Sequence, residues 1–251
     1  MTYYDDLTKD KKRVSVFKEA IKQKAYGITY DLGTGSGILA SFASASAKKV
    51  YAFEVNPLVI KHYTKKFLEE YDNIEIIEAD VSSYQFKQKP DVIICEMLDT
   101  ALIDEEQVPV INNVLNYTKE DTVFIPQSTY DTIQLGYSAI SHMTYEEYTK
   151  SEFKSYTIEI RYNRVNFSEH INPNFEKDIE ITVEKTGKVN TLLITTYTIL
   201  TEDLMTAPTP MLNPPLLIPL NEKTVEKGEK IIINLKYIMG GGLNTIRANI
   251  K

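Results

Sequence analysis

The amino-acid sequence predicts an α/β fold in which a mainly parallel sheet is followed by a β-rich region. Over the first 126 residues, short apolar runs alternate with helical patterns, which is typical of βα units. After residue 126, runs rich in Thr, Tyr, Ile and Val succeed one another without clear helices between them. Such runs suit pleated, half-buried strands. We therefore predict two domains, residues 1–126 and residues 127–251, the second of them a β-barrel or sandwich.

Each predicted element of the first domain has a local signal. Residues 28–32 (ITYDL) form an apolar run before a glycine-rich turn, and small residues at 38–47 predict the helix that follows. A helix is predicted over residues 57–71, because it begins with a proline, which is favoured in a first helical turn. Further strands are predicted at 49–54, 74–78, 91–95 and 122–125, and a loop followed by a helix at 104–115.

The second domain is predicted to consist mostly of strands. They are expected at residues 129–135, 157–165, 179–184, 189–200, 216–220, 231–237 and 245–250. Lys185-Thr186-Gly187-Lys188 lies between two of these runs and predicts a hairpin turn. The exception is residues 141–153, whose spacing permits a helix, and we predict a short helical arm near 140–153.

Composition disfavours several classes of function. One cysteine and three histidines predict neither an intramolecular disulfide nor a zinc site, so we expect a reducing cytoplasm and no metal. No apolar run approaches the roughly 18 residues of a membrane span, and the polar N-terminal residues are unlike a signal peptide. The net charge of −7 at pH 7 gives no general attraction to phosphate backbones, so nucleic acid is the less favoured partner.

The strongest local signal is the D-x-G-x-G-x-G run from Asp31 to Gly37, between the first strand and its helix. Glycine is needed where a chain turns sharply and where a ligand approaches the backbone closely. The next helix points its free N–H groups toward that ligand. The dinucleotide fingerprint G-x-G-x-x-G would need glycine where Ile38 stands. The run therefore favours a nucleoside that carries no pyrophosphate.

Two acidic residues follow at the ends of the next two strands. Glu54 ends the second strand, about 20 residues after the glycines, where a carboxylate can accept both ribose hydroxyls. Asp80 follows the third strand and can accept from an adenine amino group. The carboxyl ends of parallel strands share one edge of the sheet, which is the usual ligand edge. The three features together predict a site for an adenosyl ligand.

In these features the sequence resembles the class I S-adenosylmethionine-dependent methyltransferases. The matching segments are YDLGTGSGILA, the acidic residue of FEVNP and the acidic residue of EAD, in the family's order and spacing. The resemblance covers about the first 126 residues and implies a Rossmann-like methyltransferase sheet with helices on both faces. It also implies S-adenosyl-L-methionine as cofactor. The cofactor site is then assigned as follows: Asp31, Gly33, Gly35 and Gly37 on the methionine part, Glu54 on the ribose, and Asp80 with Val81 at the adenine region.

A narrower resemblance, to the protein arginine methyltransferases, begins after the fourth strand. Glu96 and Glu105 stand nine residues apart, like the two glutamates of that family's double-E loop. On one helix this separation would be about 900°, which points to opposite faces, so the chain between them must fold back. A planar guanidinium has five N–H donors that two carboxylates can grip. The resemblance implies that Glu96 and Glu105 hold the acceptor nitrogen, with Glu96 also in the cofactor site.

Further segments extend this resemblance into both halves of the chain. Asp10-x-x-Arg13-x-x-x-Phe17 resembles a segment that precedes the glycine motif, which makes Arg13 the candidate partner of the cofactor's carboxylate. Residues 124–126 (FIP) resemble the family's crossing into its β-barrel, and residues 224–229 with 244–247 resemble the closing strands of that barrel. The family also implies a homodimer made by an arm from the barrel, for which residues 140–153 are the candidate.

Two departures from the family leave the acceptor open. The family carries Thr-His-Trp in the barrel, whereas the aligned positions here read Pro210-Met211-Leu212 and the sequence has no tryptophan. The family's N-terminal Tyr-Phe-x-x-Tyr helix has no clear counterpart. We therefore expect methyl transfer to a nitrogen acceptor, either a protein or a small molecule. The alternatives are a methyltransferase acting on RNA or a small metabolite, and a non-catalytic S-adenosylmethionine-binding protein.

Overall fold

The computed structural model describes residues 3–146 and 152–251. Its first half contains a sheet of five parallel strands: β1 (Ile28–Leu32), β2 (Lys49–Glu54), β3 (Ile74–Glu78), β4 (Val92–Cys95) and β5 (Val123–Ile125). The strand order is β3-β2-β1-β4-β5, so the direction in which strands are added reverses beside β1. Ligands bind beyond the carboxyl ends of the strands at such a point. The predicted parallel sheet is confirmed.

Helices precede and connect these strands. They are α1 (Tyr3–Lys9), α2 (Lys11–Lys24), α3 (Ile38–Ser44), α4 (Pro57–Val59), a π-helical segment (Ile60–Thr64), α5 (Lys65–Leu68) and α6 (Gln107–Val114). The α4, π-helical and α5 segments follow one another without a break, so the helix predicted from residue 57 is present and ends at residue 68. The side chain of Asn56 begins it by accepting a hydrogen bond of 3.0 Å from the N–H of Leu58. Among the described residues, no helix is long and apolar enough to cross a membrane.

The burial of the parallel sheet explains the apolar runs in the sequence. Every residue of β4 is buried, and β1 is buried except at its first residue. Strands that are covered on both faces read as continuous apolar stretches. Phe17 of α2 and Phe53 of β2 are buried in the same apolar cluster. That cluster fixes α2 on the body of the protein, and Arg13 with it.

The second half forms two antiparallel sheets. Its strands are β6 (Ser128–Tyr137), β7 (Thr144–Tyr145), β8 (Lys154–Ser155), β9 (Ile160–Asn166), β10 (Asn174–Thr182), β11 (Gly187–Thr201), β12 (Leu204–Thr206), β13 (Leu216–Val225), β14 (Lys230–Ile238) and β15 (Arg247–Ile250). The larger sheet has the order β7-β13-β11-β6-β8, with β9 paired to β6 and β12 to β11, and the smaller has the order β10-β14-β15. The barrel-like, β-rich architecture is confirmed, whereas the domain boundary at residue 126 stays a prediction.

Two local expectations for this half are wrong. Residues 185–188 are not a hairpin turn, because β10 pairs with β14 while β11 pairs with β6 and β13. Turn residues mark a reversal of the chain, but packing between distant segments selects the strand partner. In the arm predicted at 140–153, Thr144 and Tyr145 form β7 instead of a helix, because they pair with Leu217 and Leu216 of β13. Residues 147–151 of that arm lie outside the described residues.

Candidate active site

A cleft of about 290 Å³ opens at the carboxyl ends of the parallel strands. Its walls come from α2, from the ends of β1 to β3 and from the chain that follows β4. The structure places in it all of the predicted site residues except Gly37, namely Arg13, Asp31, Gly33, Gly35, Glu54, Asp80, Val81, Glu96 and Glu105. Residues far apart in sequence meet here because parallel strands end at one edge.

The glycine turn after β1 adopts backbone angles that favour glycine. Gly33, Gly35 and Gly37 have φ angles of 72°, 54° and 88°, in the region where a Cβ is strained. A Cβ on Gly33 would lie 2.8 Å from Sδ of Met97, so glycine keeps the cleft open at this point. A Cβ on Gly37 would lie 2.7 Å from Cγ of Leu68. Gly37 is the N-cap of α3 and lets that helix approach α5, instead of lining the cleft.

Asp31 is a buried carboxyl group at the base of this turn. It lines the cleft, although only 1% of the residue is exposed. The hydroxyl of Thr34 donates a hydrogen bond of 2.5 Å to Oδ2 of Asp31. Burial raises the pKa of Asp31 to about 7, and the hydrogen bond from Thr34 opposes that shift. A cation bound beside Asp31 would therefore favour its ionised form.

Glu54 and Asp80 extend the cleft along the ends of β2 and β3. Backbone N–H groups of Gly35 and Asn56 donate to Oε2 and Oε1 of Glu54, each at 2.9 Å. Each carboxylate oxygen keeps a lone pair for a further donor, which fits a pair of ribose hydroxyls. Asp80 is exposed, and its pKa is held below the usual range chiefly by the hydroxyl of Ser82, which donates to Oδ1 at 2.6 Å.

Arg13 and Glu96 form a buried ion pair in the wall of the cleft. Their side chains are 5% and 8% exposed. Asp10 caps α2 by accepting a hydrogen bond of 3.0 Å from the N–H of Arg13, so the D-x-x-R pattern fixes the start of this helix. Burial raises the pKa of Glu96, and the charge of Arg13 opposes the rise. The sequence motifs predict separate roles for these two residues, whereas in the structure they form one ion pair.

Glu105 reaches the same cleft because the chain after Glu96 folds back. We call residues 96–105 the glutamate loop. Ala101 and Leu102 within it have positive φ angles of 58° and 59°, which are uncommon for residues with a Cβ. Glu105 is an exposed residue that lines the cleft, and desolvation of its carboxyl group there raises its pKa, reinforced by the negative charges of Glu96, Asp104 and Glu106. The structure thus brings the two predicted glutamates together.

The β-rich half anchors the glutamate loop. The N–H of Ala101 donates a hydrogen bond of 2.8 Å to the hydroxyl of Thr196, which itself donates one of 2.6 Å to Oδ1 of buried Asp131. The hydroxyl of Thr100 donates to the carbonyl of Pro214 at 2.6 Å. No local pattern in the sequence marks Thr196 as functional, because its partner lies 95 positions away. Sequence reasoning missed these anchors.

The segment aligned with the family's Thr-His-Trp lies away from the cleft. None of Pro210, Met211 and Leu212 is among the described residues that line it. Leu212 is fully buried, and the N–H of Met211 donates a hydrogen bond of 3.2 Å to Oδ2 of Asp10. This segment supports the N-terminal end of α2 instead of an acceptor.

Comparison with known proteins extends over the whole chain. Residues 30–121 match the family described as methyltransferase domain. An uncharacterised protein of Methanocaldococcus jannaschii is 43% identical over 253 residues, covering 99% of this chain and 96% of that protein. An uncharacterised protein of Methanothermobacter thermautotrophicus is 39% identical over 248 residues, covering 99% of this chain and 97% of that protein.

Two further matches, one in sequence and one in structure, are to proteins with described functions. Protein arginine N-methyltransferase 6 of Danio rerio is 28% identical over 121 residues, which are 46% of this chain and 34% of that protein. The structure of the Trypanosoma brucei PRMT1 enzyme–prozyme heterotetrameric complex with AdoHcy has a TM-score of 0.78 at 16% identity, covering 92% of this chain and 86% of that one. At that identity the structural likeness establishes the fold. The chain belongs to the same family as the two archaeal proteins, residues 30–121 form a methyltransferase domain, and the fold is that of the T. brucei PRMT1 complex.

Proposed function

We propose that the protein methylates a nitrogen atom of a cationic or amide-like acceptor, in a protein or a small molecule, held by Glu96 and Glu105. The observation that carries this proposal is that both glutamates face one cleft together with the glycine turn. The charges of the cleft also support it, because one guanidinium, that of Arg13, faces the carboxyl groups of Asp31, Glu54, Asp80, Glu96, Glu105 and Glu106. An excess of carboxylates attracts a cationic group.

The residues at the carboxyl ends of β1 to β3 fit the cofactor. S-adenosylmethionine, when bound, supplies an electrophilic methyl group on a sulfonium. We propose that Gly33 and Gly35 leave room for it, since a Cβ at Gly33 would close on Met97. Glu54 would accept the ribose hydroxyls with the lone pairs that its two backbone donors leave free. The remaining proposed contacts are Asp31 and Arg13 with the methionine part and Asp80 with Val81 at the adenine region.

Positioning of the acceptor is the main task that we assign to the glutamate pair. Glu96 is held by the guanidinium of Arg13, which fixes the position of its carboxyl group. Glu105 can accept hydrogen bonds from the other edge of a guanidinium or amide and so orient one nitrogen toward the methyl group. Methylation leaves that nitrogen with one proton to lose, and the raised pKa of Glu105 suits it to receive the proton on a carboxylate oxygen.

We also propose an oligomeric state, a cellular compartment and a division into two domains. We infer a homodimer formed through residues 140–153, by analogy with the T. brucei neighbour, which is a heterotetrameric complex. Cys95 is the single thiol and is buried, which fits a reducing cytoplasm. Residues 1–126 would form the cofactor domain and residues 127–251 the barrel-like domain, since the parallel and antiparallel strands divide there.

The test is methyl transfer from cofactor labelled in its methyl group. Acceptors are arginine-containing peptides, small guanidines and a cell extract, and the products are identified by mass spectrometry. For Glu105→Gln we expect kcat/KM for the acceptor to fall about 100-fold, because charge-assisted hydrogen bonds become neutral ones. Its affinity for S-adenosylhomocysteine should stay within about threefold of the wild type. Glu96→Gln should weaken both, because it leaves Arg13 buried without its ion-pair partner.

The matched control is Glu120→Gln, an exposed carboxylate that precedes β5, at the end of the sheet opposite the cleft. It should behave like the wild type. Tight binding of S-adenosylhomocysteine with no transfer to any protein, peptide or small molecule would contradict the proposal and favour a non-catalytic role. Label found in RNA would instead identify an RNA methyltransferase.

A further inference from the structure

We propose that Asp99 is a positioning residue, whose carboxylate closes the glutamate loop and so places Glu105 for the acceptor. The inference rests on the proposed function for the role of Glu105. Its structural part, that Asp99 holds the loop closed, can be tested without any methyl acceptor.

The carboxylate of Asp99 is the centre of the loop's hydrogen bonding. Its Oδ2 accepts from the N–H groups of Asp104 at 2.9 Å and Ile103 at 3.2 Å, and its Oδ1 accepts from the N–H of Glu105 at 3.3 Å. The hydroxyl of Tyr145, in β7, donates to Oδ2 at 3.1 Å. Asp99 is 7% exposed, so these donors replace most of its contact with water.

These bonds compensate for a turn that the sequence does not favour. Ala101 and Leu102 hold positive φ angles, which are strained for residues with a Cβ. The N-cap residue of the following helix α6, Glu106, makes no side-chain capping bond. Asp99 is the acceptor that the described residues offer to the three successive N–H groups of Ile103, Asp104 and Glu105. The carboxylate supplies that acceptor and ties the backbone of Glu105 to the start of the loop.

The ionised form of Asp99 is the one that fits this role. Ionised, it is acceptor-only and suits three N–H groups and a phenol; protonated, it must itself donate. The titratable groups that face it are Tyr145 of β7, Tyr237 of β14, and Asp104 and Glu105 of the loop. Burial raises the pKa of Asp99 to about 7, while the hydrogen bonds from the backbone and from Tyr145 lower it. Below about pH 7 the carboxyl group gains a proton, so one of its oxygens donates instead of accepting and Glu105 loses part of its positioning. The raised pKa also means that protonation does not open the loop, because the closed form binds the proton more tightly than an open, solvated one.

Two variants test the role of Asp99. Asp99→Asn keeps the size of the side chain and removes the charge. We expect amide hydrogen exchange in residues 100–106 to accelerate about tenfold or more, with residues 31–44 unchanged, because lost charge-assisted bonds lower the local opening cost. With saturating cofactor, kcat/KM for the acceptor should fall about tenfold or more, and affinity for S-adenosylhomocysteine should be that of the wild type.

Tyr145→Phe is the milder variant and reports on the titration of Asp99. Removing a hydrogen bond to the ionised carboxylate should raise the pKa of Asp99 and move the acid limb of the acceptor kcat/KM profile upward by about one pH unit or less. A tyrosine with only a general structural role would not move it. Tyr137→Phe, at the exposed end of β6, is the control and should leave this profile in place.

The outcomes separate this inference from the proposed function. Wild-type loop protection and acceptor kinetics in Asp99→Asn would overturn it, as would an unmoved acid limb in Tyr145→Phe. If Asp99→Asn does not fold, Tyr145→Phe decides by the acid limb of its kcat/KM profile. If the wild type transfers no methyl group, the proposed function fails, while hydrogen exchange of residues 100–106 still decides whether Asp99 closes the loop.

Discussion

Several contacts on the cofactor side of the cleft join neighbours in sequence, whereas the glutamate loop is anchored from outside by contacts with the distant β-rich half. Thr34 bonds to Asp31 three residues away, and the N–H of Asn56 bonds to Glu54 two residues away. Ala101 and Thr196 are separated by 95 positions, and Thr100 and Pro214 by 114. Local motifs can specify the first kind of geometry, but only a folded β-rich half can produce the second.

This contrast predicts that substitutions in the two regions affect different steps. Changes at the glycine turn should act on cofactor binding, since the turn and its partners lie on one edge of the parallel sheet. Changes at the anchors of the glutamate loop should act on the acceptor and leave the cofactor alone. The four tests below are ordered by the size of the expected effect.

The largest effect should come from Gly33→Ala. A Cβ at this position would lie 2.8 Å from Sδ of Met97, and the φ angle of 72° is strained for any residue with a Cβ. We therefore expect the affinity for S-adenosylhomocysteine to fall about 100-fold. Calorimetric titration measures it. Gly228→Ala is the matched control, because Gly228 also has a positive φ, of 88°, but has nothing within 4 Å of the added Cβ. Equal losses of affinity in both variants would contradict the role of Gly33 in the cleft.

Thr196→Val should act on the glutamate loop and therefore on the acceptor. It removes the acceptor of the Ala101 N–H and a donor to Asp131, so the acceptor kcat/KM should fall about 10- to 30-fold. Affinity for S-adenosylhomocysteine should remain within about threefold of wild type. Thr195→Val, on the opposite face of β11, is the control. A loss of cofactor affinity as large as the loss of kcat/KM would mean that the two sides are not separate.

Lowering the pH should weaken cofactor binding through Asp31. At pH 6 about nine-tenths of the free protein carries a proton on this carboxyl, given a pKa of about 7. The positively charged group of the methionine part, which we propose binds beside Asp31, favours the ionised form of this carboxyl. Affinity for S-adenosylhomocysteine should therefore be about tenfold weaker at pH 6 than at pH 8. Asp31→Asn cannot titrate, and its affinity should show no such dependence. A tenfold change that persists in this variant would assign the effect to another group.

The smallest effect should come from the surface contact between the two halves. Nζ of Lys24 in α2 lies 2.8 Å from Oε2 of Glu202, and the two side chains are 32% and 63% exposed. Lys24→Ala should lower the free energy of unfolding by less than about 1 kcal/mol, and less again in 1 M salt. Urea unfolding measures it. A loss above about 2 kcal/mol would mean that this exposed pair, and not the buried anchors, couples the halves.

The parallel sheet was predicted from the sequence, and most of the predicted site residues line one cleft in the structure. Glu54 and Asp80 follow apolar strands, and the carboxyl ends of parallel strands meet at one edge whatever the rest of the chain does. Gly37 shows the limit of motif reading, because its φ of 88° requires glycine for the approach of Leu68 and not for a ligand. The pairing of Arg13 with Glu96 was not predictable, since it depends on how α2 packs against β5 and β11.

The β-rich half was predicted by composition but not by topology. Residues 185–188 have turn chemistry, yet β10 and β11 belong to different sheets. Thr144–Tyr145 has a spacing that permits a helix, yet it pairs with β13 and donates to Asp99. Strand propensity depends on the neighbouring strands, so the same residues suit several pairings until the whole sheet is formed.

By itself, the sequence determined the cofactor side: the glycine turn and the acids at strand ends lie close together because local backbone chemistry and parallel strand direction put them there. Only the tertiary structure decided that Glu105 reaches Glu96. Nine residues on a helix would have separated them, and the chain folds back because Asp99 collects the loop's N–H groups while Thr196 and Pro214 hold Ala101 and Thr100 from across the molecule. The contacts with Thr196 and Pro214 form only after distant segments have packed, so no local pattern records them.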